Sequence, residues 1–328
     1  MSIEIEPTNT ETPQFVPPGH FYSPITSFSE IKANEHVIFC SSPANLEGIE
    51  LRGNDQRVFL DALKEYYDTM PYKPIEAISN EIGAYIKRYM EEPISSEKEK
   101  IKQEAIVRYN ELIREHKPKS TRYLLDNPSY GYTDGIVYHC ILRKIKPTRV
   151  IEIGAGYSSC LLLDTNEKYF DSNIKCTFIE PYIDNIVSLI NEEDKGSIDI
   201  IGSKIQDVDI NIFKALEKND ILFVDSSHIC KTYSDVNHIL FNILPLLQSG
   251  VYVHFHDVFW PFEYPKEWVY EGRSWNECYL LRAFLSYNTK YSIKFYTSYI
   301  QAILKDHLEN SMPLLMRGEG GSIWLQKM

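Results

Sequence analysis

The sequence predicts an α/β fold: a doubly wound, mostly parallel sheet of seven strands, preceded by an irregular N-terminal arm and a helical extension. Three observations predict it. From Arg149 onward, short apolar runs alternate with helix-length segments, the pattern of a parallel sheet wound by crossovers. The first of these runs ends in Glu152-Ile-Gly154-Ala-Gly156, a strand that feeds a glycine turn and then a helix. The last run, Gly321 to Gln326, follows a glycine-rich turn and suits an inserted antiparallel strand.

Residues 1 to about 58 are rich in Pro, Ser and Asn and read as an irregular arm. Within it, Pro18 to Pro24 is too aromatic for a solvated tail, which makes it a candidate lid or a contact to a second subunit. Apolar residues recur at helical spacing in Val58–Met70, Ile75–Met90 and Ser95–His116. The last of these is highly charged and reads as a solvated helix. Tyr130 to Gly135 reads as a loop before a helix over Ile136–Ile145. Strands are expected at 149–153, 175–179, 198–202, 220–225 and 250–258, then at Tyr291–Ser298 and Gly321–Gln326. Residues 1–145 are thus expected to form the arm and helical cap, and residues 146–328 the sheet domain.

Bulk properties narrow the class. The 328 residues suffice for one large domain or a domain with an extension, and 43% apolar content supports a sizeable core. A formal charge of −12 argues against general nucleic-acid binding. No apolar run approaches the ~18 residues of a membrane span. Met1 to Pro7 lacks the charged and apolar regions of a secretion signal, so a cytoplasmic protein is expected. Six cysteines, at 40, 140, 160, 176, 230 and 278, show no C-x-x-C pairing and are expected to be free, buried thiols.

The glycine turn indicates a nucleoside-bearing cofactor. Thr177 to Glu180 is a second apolar run ending in an acid, placed to accept hydrogen bonds from ribose hydroxyls. A dinucleotide fingerprint needs a third glycine, where this chain has Ser159. Glu152, Gly154 and Gly156 suit S-adenosylmethionine better, because a carboxylate beside the turn lies near that cofactor's positive charge. After the third strand, Gln206 or Asp207 is placed to meet the adenine amino group.

Ligands of open parallel sheets bind beyond the carboxyl ends of the strands, so the remaining tips carry the chemistry. The fourth strand ends in Asp225-Ser-Ser-His228, and the fifth in His254-Phe-His256-Asp257. Alternation puts His254 and His256 on one face, and the turn at the strand end lets His256 and Asp257 converge. Asp225, His256 and Asp257 would supply two oxygens and one nitrogen to a divalent metal. Carboxylates favour Mg²⁺, and the imidazole also admits Mn²⁺, Fe²⁺ or Zn²⁺. His228 is close enough to take a proton from a hydroxyl that the metal has made more acidic. His254 reads as a packed core histidine.

Residues 149–328, with Gly19 to Pro24, resemble class I S-adenosylmethionine-dependent methyltransferases of the methyltransferase family 24 type. Asp225-Ser-Ser-His228 and His256 through Pro265 carry most of that resemblance, and their arrangement is similar to that of macrocin and mycinamicin sugar O-methyltransferases. It implies a Rossmann-like class I methyltransferase catalytic domain over 146–328, Mg²⁺ or Mn²⁺ at Asp225, His256 and Asp257, and His228 as base. His256 stands where the family has a glutamate. A sugar, glycan or secondary-metabolite hydroxyl is the implied acceptor. Trp260, Phe262, Tyr264, Trp268, Tyr270, Arg273, Trp275, Asn276 and Glu277 mix aromatic faces with polar groups, which suits a sugar ring. Two other readings remain: a nicotinamide-dependent oxidoreductase on a similar sheet, and a non-catalytic cofactor-binding protein.

Overall fold

The computed structural model describes residues 13–40, 43, 45–92 and 95–328. The first twelve residues of the expected arm lie outside the described residues. The sheet has seven strands: β1 (Arg149–Ile153), β2 (Lys175–Ile179), β3 (Asp199–Ile201), β4 (Ile221–Val224), β5 (Tyr252–Phe255), β6 (Tyr291–Tyr296) and β7 (Ile323–Lys327). Their order is β3-β2-β1-β4-β5-β7-β6. The first five pair in parallel, and β7 slots antiparallel between β5 and β6. This is the sheet the alternating runs predict, including the inserted last strand. The central strand β4 is apolar throughout, as expected of a strand covered on both faces. Ile221, Leu222, Phe223 and Val224 are all buried, and full burial of such a side chain contributes roughly 1.5–3 kcal/mol.

Ahead of the sheet lie α1 (Phe28–Ala33), α2 (Glu35–Ile38), α3 (Gly53–Asp61), α4 (Lys64–Asp68), α5 (Glu76–Glu91), α6 (Ser96–His116) and α7 (Tyr132–Ile145). The arm is therefore partly helical. The single helix expected over Val58–Met70 is two, broken at Ala62 and Leu63, with Leu60 and Leu63 both buried. The α7 helix starts at Tyr132, although Tyr130–Gly135 reads as a loop in sequence. Gly135 is no breaker here: a Cβ would stand 1.9 Å from the Tyr123 hydroxyl oxygen, so this helical position requires glycine. The charged α6 buries Ile101 and Leu112 and is otherwise solvated, with surface pairs such as Arg108 to Glu81 at 2.6 Å.

Between and beyond the strands run α8 (Tyr157–Phe170), α9 (Asp184–Leu189), α10 (Asn211–Lys214), α11 (Asp235–His238), α12 (Lys266–Tyr270), α13 (Glu277–Leu285), α14 (Thr297–Ile303) and α15 (Lys305–Ser311). One apolar core is continuous across residue 145, taking in Leu60, Tyr123 and Ile136–Leu142 together with the strands. A second cluster, Ile78, Leu112 and Leu124, seats the α5–α6 hairpin on Tyr157, the first residue of α8. All six cysteines are free. Cys140, Cys160, Cys176 and Cys278 are buried, whereas Cys40 is exposed and Cys230 half-buried. Among the described residues, no helix is long and apolar enough to cross a membrane.

The segment entering α7 is fastened to α8 by one buried cation. Arg122 donates to Asp194 at 2.6 and 2.7 Å, to Asp164 at 2.9 Å and to Glu167 at 2.8 Å. Asp164, on α8, also accepts the backbone N–H groups of Arg122 and Tyr123. Replacing this guanidinium strands buried carboxylates. Arg122→Met is expected to lower the unfolding free energy by about 3–5 kcal/mol, read as a shifted urea midpoint at unchanged slope. A loss below about 1 kcal/mol, the range of an exposed pair, would show that the cluster does not fasten this segment.

Candidate active site at the strand tips

The turn after β1 is shaped by what crosses it. Gly154 has φ +83°, and a Cβ there would lie 1.7 Å from the Asp225 carbonyl oxygen. Only glycine permits that approach. The Gly154 N–H donates to Ile179 O, and the Asp225 N–H to Ile153 O, so the turn is tied to the exits of β2 and β4. Gly156 opens α8, and its N–H donates to Ser159 Oγ at 3.1 Å. Ser159, the residue that breaks a dinucleotide fingerprint, thus caps the start of the helix.

Glu152 is fully buried and accepts a hydrogen bond from the Ser158 hydroxyl. Its second carboxylate oxygen has no partner. Burial pushes this carboxyl up to about 8, against the opposing hydrogen bond from Ser158. Glu180 accepts from the Tyr182 N–H at 2.9 Å and from the Ala155 N–H at 3.4 Å, joining the β2 tip to the glycine turn. Partial burial raises its carboxyl. Gln206 and Asp207 sit in the short turn Ile205–Asp207 after β3. The Gln206 amide donates to the Tyr233 carbonyl at 2.7 Å, and the Tyr233 hydroxyl donates to Asp207 at 3.4 Å.

The tips of β4 and β5 bring together Asp225, His228, His256 and Asp257. Asp257 and His228 both take left-handed backbone, with φ +57° and +59°. The chain therefore leaves strand geometry at Asp257, and its carboxylate converges with His256. His228 Nε2 lies 3.4 Å from an oxygen of Asp225 and 3.4 Å from one of Asp257. His256 Nδ1 approaches the other oxygens of the same two carboxylates, at 3.6 and 3.4 Å. Each imidazole also has a further carboxylate on its second nitrogen. Glu277, at the start of α13, is 2.8 Å from His228 Nδ1, and Asp134, on α7, is 3.6 Å from His256 Nε2.

Charge compensation sets the protonation of this cluster. Burial alone would strip His228 of its proton, but Asp225, Glu277 and Asp257 outweigh it and hold the imidazole at about 10. Burial likewise opposes a charged His256, yet Asp257, Asp225 and Asp134 keep it well above the ordinary histidine range. Burial also works against Asp225, whose carboxyl is nonetheless held down by His256 and His228. Burial raises the carboxyl of Asp257.

Among the described residues, donor atoms lying within 4.8 Å of one another come from Asp225, His228 and Asp257, a set suited to a metal ion. The sequence reading has His256 in place of His228 in that set. His256 borders the same two carboxylates. Its Nδ1 is buried without a hydrogen-bond partner, so the donor chemistry of Asp225, His256 and Asp257 also fits a divalent cation. His254 is a core histidine: its ring stacks on Phe223 at 3.8 Å, and Nε2 is 3.0 Å from Ser322 Oγ.

The aromatic segment after β5 folds over this corner. The Trp275 ring lies 4.4 Å from that of His228. The Arg273 guanidinium sits 3.9 Å from the Trp268 ring and 4.9 Å from that of Trp275. Trp260, Phe262 and Tyr264 are buried and serve the core. The arm lies on the same segment, with Phe28 stacked on Tyr270 and Glu35 paired with Lys266 at 2.8 Å. Phe21 and Tyr22 remain exposed. A surface hollow of about 400 Å³ lined by Trp260, Gln301, Arg317 and Glu319 includes none of the clustered acids or histidines.

Sequence reasoning missed Asp134, and it noticed Glu277 only as one polar group among aromatics. The available signal was an acid beside otherwise apolar helical residues: Asp134 precedes Gly135-Ile-Val-Tyr138, and Glu277 precedes Cys278-Tyr-Leu-Leu281.

Residues 151–258, from the glycine turn through Asp257, match the family model described as "Methyltransferase domain". The chain is 28% identical over 222 residues to an uncharacterized protein of Archaeoglobus fulgidus, covering 66% of this chain and 80% of that protein. Among solved structures it is similar to the SAH-bound Podospora anserina methyltransferase PaMTH1, with 15% identity, 79% of this chain and 99% of that one covered, and a TM-score of 0.40. It is also similar to the apo structure of CmcI-N160, with 17% identity, 61% and 72% covered, and a TM-score of 0.38. Residues 151–258 thus match a methyltransferase domain, and they lie on the seven-stranded α/β sheet with its antiparallel last strand.

Proposed function

We propose that the protein is a metal-assisted O-methyltransferase that moves the methyl group of S-adenosylmethionine to a hydroxyl of a sugar, glycan or secondary metabolite. The observation that carries this reading is the pair of strand-tip carboxylates, Asp225 and Asp257, flanked by two buried imidazoles beside the glycine turn. Residues 146–328 would act as the catalytic domain, with residues 1–145 as arm and cap.

On this reading Glu152 faces the cofactor's positive charge with its unpartnered oxygen. Gly154 and Gly156 let backbone approach the cofactor, and Glu180 accepts from the ribose. Gln206 or Asp207 meets the adenine. Asp225, His256 and Asp257 would hold the divalent metal, Mg²⁺ or Mn²⁺. When bound, the metal would make the acceptor hydroxyl more acidic and offset the carboxylate charge that otherwise keeps His228 protonated. His228 takes the hydroxyl proton at Nε2. The acceptor oxygen attacks the methyl carbon, and the bond from that carbon to sulfur breaks. Trp268, Arg273 and Trp275 offer aromatic faces and hydrogen-bond donors to a sugar ring. The chain's contribution is mainly orientation and electrostatics.

Calorimetric titration tests the cofactor: S-adenosylmethionine should bind at micromolar concentration, with or without Mg²⁺ or Mn²⁺, and NAD⁺ should not. No binding of S-adenosylmethionine under any metal condition would sink the proposal. With a panel of methyl glycosides as acceptor probes, His228→Gln should lower turnover about 10²- to 10⁴-fold at unchanged cofactor affinity. Near-wild-type turnover would remove His228 as the base.

Glu152 gives a pH prediction for the cofactor-free protein. Its folded pKa, about 8, lies above the ordinary 4.5. Across that window the unfolded chain has released the proton and the folded chain has not, so ionisation favours unfolding. Stability should fall as pH rises from about 4.5 to about 8, by a few kcal/mol at about 1.4 kcal/mol per pKa unit. Glu152→Gln should lose that component, so its melting temperature relative to wild type climbs with pH. A pH-independent difference between the two would contradict the buried, protonated state of Glu152.

A further inference from the structure

We infer that Glu277 is the positioning residue for His228, fixing which imidazole nitrogen faces the reacting groups. This rests on the reading of His228 as the base. Glu277 is 2% exposed, and its Oε2 lies 2.8 Å from His228 Nδ1. As a carboxylate Glu277 can only accept a hydrogen bond, so the pairing at this distance places the proton on Nδ1. Nε2 is thereby left toward Asp225 and Asp257, each at 3.4 Å.

The rest of the segment holds the same histidine by independent means. The backbone N–H groups of Asn276 and Glu277 both donate to the His228 carbonyl at 3.1 Å. The Trp275 ring packs against the imidazole. Asn276 accepts from the Cys230 N–H at 2.6 Å and donates to the Cys230 carbonyl at 3.2 Å. His228 and Ser274 both have positive φ, so two strained positions are stabilised where these segments meet.

Core packing does not require this acid. The second oxygen of Glu277 is buried without a partner, a penalty that an apolar residue at this position would avoid. A first-turn acid would serve α13 as well on the surface. What the buried position adds is a fixed tautomer and ring orientation for the one imidazole beneath Trp275, on the side where the aromatic segment closes.

The test is ¹⁵N-histidine NMR of the full chain with S-adenosylmethionine present, together with kinetics on the methyl glycoside panel. Wild type should show a strongly deshielded Nδ1 proton that is lost in His228→Gln. In Glu277→Gln that proton should move upfield, and kcat should fall about 10- to 100-fold with KM for both substrates unchanged. Glu277→Asp, which keeps the carboxylate, should recover part of kcat. A wild type without the deshielded His228 proton, or a Glu277→Gln variant that leaves both resonance and kcat unmoved, overturns the assignment. The first of those outcomes needs no variant to fold. Full turnover by His228→Gln with the resonance present in wild type would instead remove the base role and leave the pairing intact.

Discussion

Two carboxylates at neighbouring strand tips repel each other, and burial makes that repulsion severe unless positive charge lies between or beside them. Asp225 and Asp257 are in that position, and much of the surrounding structure answers it. His228 and His256 both approach, one nitrogen of each lying 3.4 to 3.6 Å from an oxygen of each acid. The two imidazoles in turn need orientation, which Glu277 supplies from α13 and Asp134 from α7. Asp134 extends the dependence further, because its carboxylate accepts the Gly321 N–H at 2.9 Å and so anchors the loop that enters β7. The last strand of the sheet and the helix before the first are thus both attached to one charge cluster.

The helical extension has a comparable logic. The α5–α6 hairpin buries little of its own surface, yet its small apolar cluster closes on Tyr157, at the opening of α8. On the opposite flank, Tyr89 of α5 donates to Glu271 beside the aromatic segment. The hairpin therefore bridges the two flanks of the site, and the Arg122 cluster fixes the chain where it leaves that hairpin.

Much of this was legible in the sequence because buried parallel strands show themselves as uninterrupted apolar runs. All seven runs are strands, and most boundaries fall within two or three residues. Period-two alternation correctly placed His254 and His256 together; their rings lie 6.0 Å apart and nearly parallel. The Asp257 turn was readable as the end of a strand. Other features depend on contacts between distant segments. Gly135 looks like a helix breaker until Tyr123, twelve residues earlier, is seen to occupy the space its side chain would fill. Asp134 and Glu277 reach their histidines from elements distant in sequence, so no spacing rule could pair them.

The contact between Gly154 and the Asp225 carbonyl joins two surfaces that sequence alone would treat as separate. One belongs to the glycine turn, the other to the acid tip, and no side chain stands between them. A shift of either backbone segment is passed directly to the other. Any ligands that occupied those two surfaces would share this contact, and a coupling passed through it would be reciprocal: whatever factor one imposed on the affinity of the second, the second would impose on the first. Order of addition can alter the route to the ternary complex but not that factor.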